Sequence, residues 1–333
     1  MRILVSGATG FVGNTIARHL LDAGHEVRAM SRSTGHAMTV FAGQESGRRG
    51  LADGRLTFVQ ADVTKPQTLT AAVSAVDAVV QAAQFAGAPV EDPAKGLTYD
   101  AVDRGGTINL LDAICQVSCR PTAGPDMLRF PDGAPRFLYV SGISVSPASP
   151  FYWDRAKCAA EDAIRGSGLH WTIVRCCWAF GAKDAALNRI LHYSDRLPFV
   201  PIFGDGQERL TPVYVEDIGR LFALLVANPE NSGDTTFGLG GPDVVTLNEF
   251  LALALRAMGR RRPILHIPKP VGKIQGAVMQ YLPGKPLTPD AVDFVAQAGA
   301  VSDADRQLLV ERFPEFRATP VREALESYLG PRG

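Results

Sequence analysis

Apolar and polar positions along the chain follow two periods in turn, and their alternation predicts the architecture. Arg2-Ile3-Leu4-Val5-Ser6 is a short apolar run with β-branched residues. After a glycine-bearing break, Ile16, Ala17, Leu20 and Leu21 recur at helical spacing, so the opening unit reads strand, turn, helix. Residues 25–30 predict a second strand behind Gly24, which ends that helix. Residues 56–63 give a third strand and its end, 77–83 a fourth that finishes in small side chains, 137–141 a fifth and 171–175 a sixth. A long helix follows Gly105-Gly106-Thr107 with Leu110, Leu111 and Ile114 on its apolar face, and another is predicted over 150–167. Strands alternating in this way with helices predict an α/β fold with a doubly wound parallel sheet, whose ligands sit at the carboxyl ends of the strands.

Two stretches break the rhythm. Residues 116–134 are rich in Pro, Gly and Asp and read as a loop excursion, and beyond Ala179 the alternation becomes irregular. Residues 197–202 read as a loop or edge strand. Residues 214–227 are expected to return to the first domain, with Glu216 and Asp217 opening a helix that turns Leu221, Leu224 and Leu225 inward. Thr246-Leu247-Asn248-Glu249 has the pattern of a capping box, and its helix should end before Gly259. The expected division is therefore a dinucleotide-binding domain over 1–180, with 205–242 returning to it, and a smaller C-terminal substrate or partner lobe over 181–204 and 243–333. Within that lobe Val271, Ile274, Ala277, Val278, Tyr281 and Leu282 form an apolar stripe. It is expected to pack on its own core, the alternatives being a lid over an apolar pocket or a surface for a partner or membrane.

Composition narrows the class without naming a function. Of 333 residues 46% are hydrophobic and 20% charged, and 34 Lys and Arg balance 34 Asp and Glu, so no bulk charge points to nucleic acid or an anionic surface. Arg256, Arg260, Arg261 and Arg262 form a local basic cluster that reads as a solvated helix end. The first residues enter a core strand at once and no apolar stretch is long enough to span a bilayer, so a cytoplasmic protein is expected, with peripheral membrane or protein association left open. Five cysteines, an odd number, fit a reducing compartment. Cys115 with Cys119, and Cys176 with Cys177, read as buried small hydrophobes, and no metal site is expected.

The chemistry lies at the first turn. Gly7-Ala8-Thr9-Gly10-Phe11-Val12-Gly13 joins the opening strand to its helix. This bare backbone admits a pyrophosphate to the helix N-terminus, and Gly13 lets the helix pack close. A Rossmann-type cofactor site follows, made by Gly7, Thr9, Gly10, Phe11, Val12 and Gly13, by Asp62 and Val63 at the adenine edge, and by the small Ala82 and Ala83. Asp62 could equally cap the next helix. An acid at the end of the second strand would hold the ribose hydroxyls of NAD. Ser31 and Arg32 stand there instead, with Arg28 before them, which favours NADP(H) over NAD, the alternative being a solvated surface arginine.

These motifs resemble the short-chain dehydrogenase/reductase superfamily of the extended or atypical, NAD-dependent epimerase/dehydratase-like kind. The matching pieces are the glycine turn, Ala61-Asp62-Val63, Asp103-Arg104-Gly105-Gly106-Thr107-Ile108-Asn109-Leu110, Tyr139-Val140-Ser141, Lys157 with Glu161, Val174-Arg175, Pro212 to Ile218 and Phe237 to Pro242. Pro286-Leu287-Thr288-Pro289-Asp290 and Thr319 to Leu325 are similar to the subgroup of nucleotide-binding accessory subunits of respiratory complex I and their bacterial relatives. The resemblance implies a Lys that binds the nicotinamide ribose and a Tyr four residues before it that acts as general acid or base. Lys157 is present, but Trp153 occupies the tyrosine position and Tyr152 lies one place too early. Four residues turn a helix through about 400° and five through about 500°, so Tyr152 does not share the face of Lys157. The strand-end Ser or Thr falls at Gly142, with Ser141 and Ser144 beside it.

The candidate catalytic set is thus Lys157, Tyr152 and Ser141. Tyr152 could swing to the nicotinamide if the helix began after it with Asp154 as cap, but the pattern favours Ser149 as cap and Pro150 as first helical residue. Two readings stay open: a reductase of an apolar carbonyl or quinone-like compound, and a non-catalytic module with the dinucleotide as structural or redox-sensing ligand. The Tyr152→Phe variant is expected to leave any NADPH-dependent turnover intact, as followed by the decay of NADPH fluorescence.

Overall fold

The computed structural model describes residues 1–86, 90–118, 134–281, 287–295 and 299–330. Cys119, most of the expected excursion over 116–134, and the segment 282–286 lie outside the described residues. The first half of the chain runs β1 (Arg2–Ser6), α1 (Phe11–Asp22), β2 (Glu26–Ser31), α2 (Thr34–Ala42), α3 (Glu45–Ala52), β3 (Leu56–Gln60), α4 (Leu69–Val73), β4 (Ala78–Gln81), a π-helical turn (Asp100–Gly105), α5 (Gly106–Ser118), β5 (Arg136–Gly142), α6 (Tyr152–Arg165) and β6 (Trp171–Cys176). The helix expected over 150–167 thus starts two residues late. Phe151 is extended because the Ser149 hydroxyl accepts from its N–H at 3.2 Å, closing a turn that keeps Pro150 out of the helix. Neither Ser149 nor Asp154 caps α6, and Tyr152 is its first residue.

Seven strands form one parallel sheet, and β11 (Thr235–Leu239) closes it beyond β6, giving the order β11-β6-β5-β4-β1-β2-β3. The order reverses between β1 and β4, which defines the switch point. Alternate strand residues feed opposite faces. Ile3 and Val5 join Leu20, Phe222 and Phe237 on one side, while Leu4 and Val79 join Leu110, Ile114, Phe137 and Ile164 on the other.

The chain continues through β7 (Ala179–Phe180), α7 (Ala185–Arg196), β8 (Val200–Phe203), β9 (Arg209–Leu210), β10 (Val213–Tyr214), α8 (Val215–Ala227) and α9 (Pro229–Ser232) to β11, then β12 (Val245–Thr246), α10 (Leu247–Ala257), β13 (Ile264–Ile267), α11 (Lys269–Met279), α12 (Pro289–Val295), α13 (Asp303–Arg312) and α14 (Val321–Leu329). α8 packs on α1, where Gly219 leaves room for the His19 ring and Glu216 pairs with Arg18 at 2.6 Å and His19 at 2.8 Å. Residues 200–203 are a strand paired with β13, and the capping box of Thr246 and Glu249 is complete. A second core holds Phe180, Leu187, Val200, Phe250, Leu251 and Leu325. Leu309, Phe313 and Phe316 pack in the first core, so the late segment around α13 also belongs to the sheet layer.

A buried carboxylate ties three elements of the sheet layer together. Glu161 of α6 accepts from Ser141 at the end of β5 at 2.7 Å, from Arg175 of β6 at 2.5 and 2.9 Å, and from Arg165 at 2.7 Å. Burial would raise this carboxyl, but the hydrogen bonds from Arg175 and Ser141 outweigh it and hold the group below the ordinary carboxylate range. A lowered folded pKa gives stability that is present above the unfolded value and lost as pH falls through the folded one. Glu161→Gln is therefore expected to cost about 2–3 kcal/mol at neutral pH, and chemical denaturation should show the gap between parent and variant closing as the solution is acidified below about pH 4.

Candidate dinucleotide site

The glycine turn sits where β1 and β4 part. Gly7 has φ +63°, and a Cβ there would lie 2.8 Å from the carbonyl oxygen of Ala82 and the backbone of Ala83. A Cβ on Gly13 would collide with the carbonyl oxygen of Gly7, so the first turn of α1 rests directly on the loop. The Ser6 hydroxyl fastens the facing strand end by accepting from the N–H groups of Ala82 and Ala83 at 3.0 and 3.1 Å, and it donates to the Gln81 side-chain oxygen or, at 3.3 Å, to the Val80 carbonyl. Ser6 and Gln81 were not singled out from the sequence. Their signal was a polar residue at the end of each of two otherwise apolar strands.

The helix end is prepared for an anion. Gly10 occupies the cap position of α1 with no side-chain hydrogen bond, and the first turn carries no acid. The N–H groups of Phe11, Val12 and Gly13 precede the first helical hydrogen bond, from Asn14 to Gly10 at 3.0 Å. Uncapped N–H groups and the positive end of the dipole fit a diphosphate.

At the end of β2 the Ser31 hydroxyl takes part in the turn by donating to the Ser33 carbonyl at 3.0 Å. Arg32 is exposed, and its guanidinium has no hydrogen-bond or ion-pair partner among the described residues. Arg28 turns away from them to the carbonyls of Ala72 and Ser74, at 2.9 and 2.6 Å. Asp62 does not cap the next helix. Its carboxylate accepts from the N–H and hydroxyl of Thr64 at 3.0 and 2.8 Å, an Asx turn that shapes the rim. The Val63 carbonyl accepts from Asn109 at 2.8 Å, which pins this rim to α5.

The three candidate catalytic groups are each committed to a different carboxylate. Ser141 is buried and donates to Glu161. Lys157 donates to Asp103 at 2.5 Å, and the other oxygen of that fully buried carboxylate accepts from the Phe85 N–H at 2.9 Å. Tyr152 donates to Asp290 of α12 at 3.2 Å. Burial, then the charges of Asp290 and Glu91, push its phenol well above the usual tyrosine range, opposite to what a proton-transferring tyrosine needs. Trp153, the residue on the Lys157 face, is buried in an aromatic cluster with Phe85 and Tyr99. In the sequence Asp103 stands out only as part of the motif Asp103-Arg104-Gly105-Gly106. A π turn directs it inward, and strand-and-helix periodicity carries no trace of one.

Among the described residues no group of His, Cys, Asp and Glu is placed to hold a metal, and no helix is long and apolar enough to cross a membrane. Cys158, Cys176 and Cys177 are free thiols, and burial pushes Cys177 up to about 11 and Cys176 higher still, so neither member of the adjacent pair is a ready nucleophile.

A parallel sheet that reverses at a glycine turn beneath an uncapped helix defines a Rossmann-type nucleotide-binding protein of the short-chain dehydrogenase/reductase kind. The particular lineage follows from comparison: residues 3–240 match the NAD dependent epimerase/dehydratase family, and the chain belongs to it. It is 34% identical over 337 residues to the photosystem II assembly factor Ycf39 of Synechocystis, a match covering 99% of this chain and 91% of that protein. It is 32% identical over 154 residues to NADH dehydrogenase [ubiquinone] 1 alpha subcomplex subunit 9 of Arabidopsis thaliana, covering 46% of this chain and 38% of that one. The similarity to complex I accessory subunits read in the sequence is thus met by a relative.

Among solved structures, UDP-glucuronic acid 4-epimerase from Bacillus cereus in complex with NAD superposes with a TM-score of 0.70 at 16% identity, covering 99% and 96% of the two chains. An NADPH-dependent quinone oxidoreductase from Escherichia coli complexed with NADPH gives 0.67 at 16%, covering 98% and 99%. At such identities the likeness is one of fold.

The Gly7→Ala variant should lose about 2–4 kcal/mol of stability, from its left-handed backbone and the overlap with Ala82 and Ala83. Thermal unfolding measures that loss, and calorimetric titration should show dinucleotide binding fall with it.

Proposed function

We propose that this protein is an NADP(H)-binding module of its family, in which the dinucleotide is a structural or redox-sensing ligand. One observation carries the reading. The ammonium of Lys157 is bound to the buried Asp103 while Trp153 fills the position of the general acid, so the chain's own Tyr–Lys proton relay is dismantled. Ser141 and Tyr152 supply no replacement, because both hydroxyls serve other acids. The names of the two relatives, a complex subunit and an assembly factor, accord with a module. The preference for NADP(H) over NAD rests on Ser31 and on the Arg32 guanidinium, which has no partner among the described residues, at a strand end whose sequence carries no acid to repel a 2′-phosphate. Free thiols accord with a reducing, cytoplasmic compartment.

A second reading is favoured by the aromatic wall of Phe85, Tyr99 and Trp153 beside Lys157, which suits an apolar carbonyl or quinone-like ligand. When bound, NADPH would supply a hydride to the carbonyl carbon. The chain's part would be to orient the ribose through Lys157 and to exclude bulk water, with a water molecule giving the proton to the oxygen.

Calorimetry with NADPH and NADH separates these claims. Arg32→Ala should weaken NADPH binding by about 10–100-fold, the loss of a bidentate charged contact, and leave NADH within about twofold. Equal losses for both would overturn the cofactor assignment. Binding without turnover across a panel of apolar carbonyls and quinones supports the module. Sustained NADPH oxidation with any of them would overturn it, and that oxidation should persist in Tyr152→Phe if water gives the proton.

A further inference from the structure

The C-terminal lobe carries an apolar surface that the dinucleotide site does not use. α11 turns its small residues inward. A Cβ on Gly272 would collide with the Phe203 ring, and one on Gly276 would lie 2.6 Å from the carbonyl carbon of Thr288. At about 100° per residue, the stripe of Val271, Ile274, Val278 and the following Tyr281 falls on the opposite side. These residues are 43, 69, 67 and 84% exposed, so the stripe does not pack on its own core as the sequence pattern predicted. The glycines explain the difference: helix packing here uses close backbone approach, which leaves the larger side chains outside.

Charge indicates what covers this face. From Phe250 to Pro289 forty residues contain seven Lys and Arg and no Asp or Glu, in a chain whose net charge is zero. Three of those cations reach acids outside the stretch: Arg260 pairs with Asp195, Lys269 with Glu208 at 3.0 Å and Lys273 with Asp293 at 3.0 Å. Arg256 and Arg261 are exposed, and neither makes an ion pair among the described residues. A second copy docked face to face would set two acid-free stretches against each other. An anionic lipid surface complements both the charge and the apolar stripe.

We propose that α11 lies in the headgroup layer of an anionic bilayer, with Val271, Ile274, Val278 and Tyr281 inserted at the acyl boundary and the exposed Arg256 and Arg261 drawn to lipid phosphates. Such a site combines a modest apolar face with electrostatic attraction, and reversible attachment requires both. α12 links this surface to the dinucleotide domain, because Asp293 holds Lys273 and Asp290 accepts from Tyr152 at the start of α6. The proposal stands whether the dinucleotide is a reactant or a structural ligand.

The test is co-sedimentation of the full chain with vesicles of equimolar phosphatidylcholine and phosphatidylglycerol, beside vesicles of phosphatidylcholine alone. Binding is expected to the anionic vesicles, at least about tenfold weaker to the neutral ones, and at least about tenfold weaker in the double variant Ile274→Asp, Val278→Asp, whose thermal unfolding should match the parent because both side chains are solvent-facing. In Tyr281→Trp the indole emission should shift to the blue on adding anionic vesicles. Absence of binding, equal binding to neutral vesicles, or binding undiminished in the double variant would overturn the proposal. So would a dimer in sedimentation equilibrium that the same substitutions dissociate, because it would assign the face to a second copy.

Discussion

An ionised carboxylate in a protein interior needs a cation or several hydrogen bonds, and Asp103 has both. With no side-chain exposure it takes the ammonium of Lys157 on one oxygen and the Phe85 N–H on the other. The proposed function rests on this pair. A lysine free to approach a ribose and lower the pKa of a phenol is the basis of Tyr–Lys chemistry. A lysine held by a buried acid is instead a strut between α6 and the π turn before α5. The aromatic cluster of Phe85, Tyr99 and Trp153 forms around that strut, and the raised phenol of Tyr152 follows from its burial and its acidic neighbours.

The anion-binding half of the site is built by different means. There the polypeptide leaves groups unsatisfied: no cap on α1, no acid in its first turn, and a guanidinium at the end of β2 without a partner among the described residues. Water serves these groups until an anion replaces it, so the fold gains stability from binding one at this end of the crevice, whereas at the other end Lys157, Ser141 and Tyr152 already serve carboxylates and the buried Tyr99 hydroxyl is without a partner among the described residues.

Much of this was legible in the sequence because it rests on local rules. The glycine turn, the parallel alternation, the capping box of Thr246 and the displaced tyrosine are all statements about neighbours within one turn or one strand. What escaped depended on distant partners. Arg28 reads as a binding residue until Ala72 and Ser74 are seen to claim it. Ser141 reads as catalytic until Glu161, twenty residues on, accepts a hydrogen bond from its hydroxyl, although the i, i+4 pairing of Glu161 with Arg165 was visible. The exposed stripe of α11 misled for the same reason: periodicity shows that a helix has two faces, but glycines and their distant contacts choose which one is buried.

The π-helical turn over Asp100–Gly105 has an evolutionary corollary. Such turns accommodate one more residue than the α-helix they interrupt. Shortening this one by a single residue would rotate Asp103 about 100° from its place against the sheet and cut the lysine loose. The hold on Lys157 is therefore set at this point by chain length, and an indel can release the lysine with its side chain intact, which no substitution at Lys157 would do, while Trp153 would still stand where a phenol is needed.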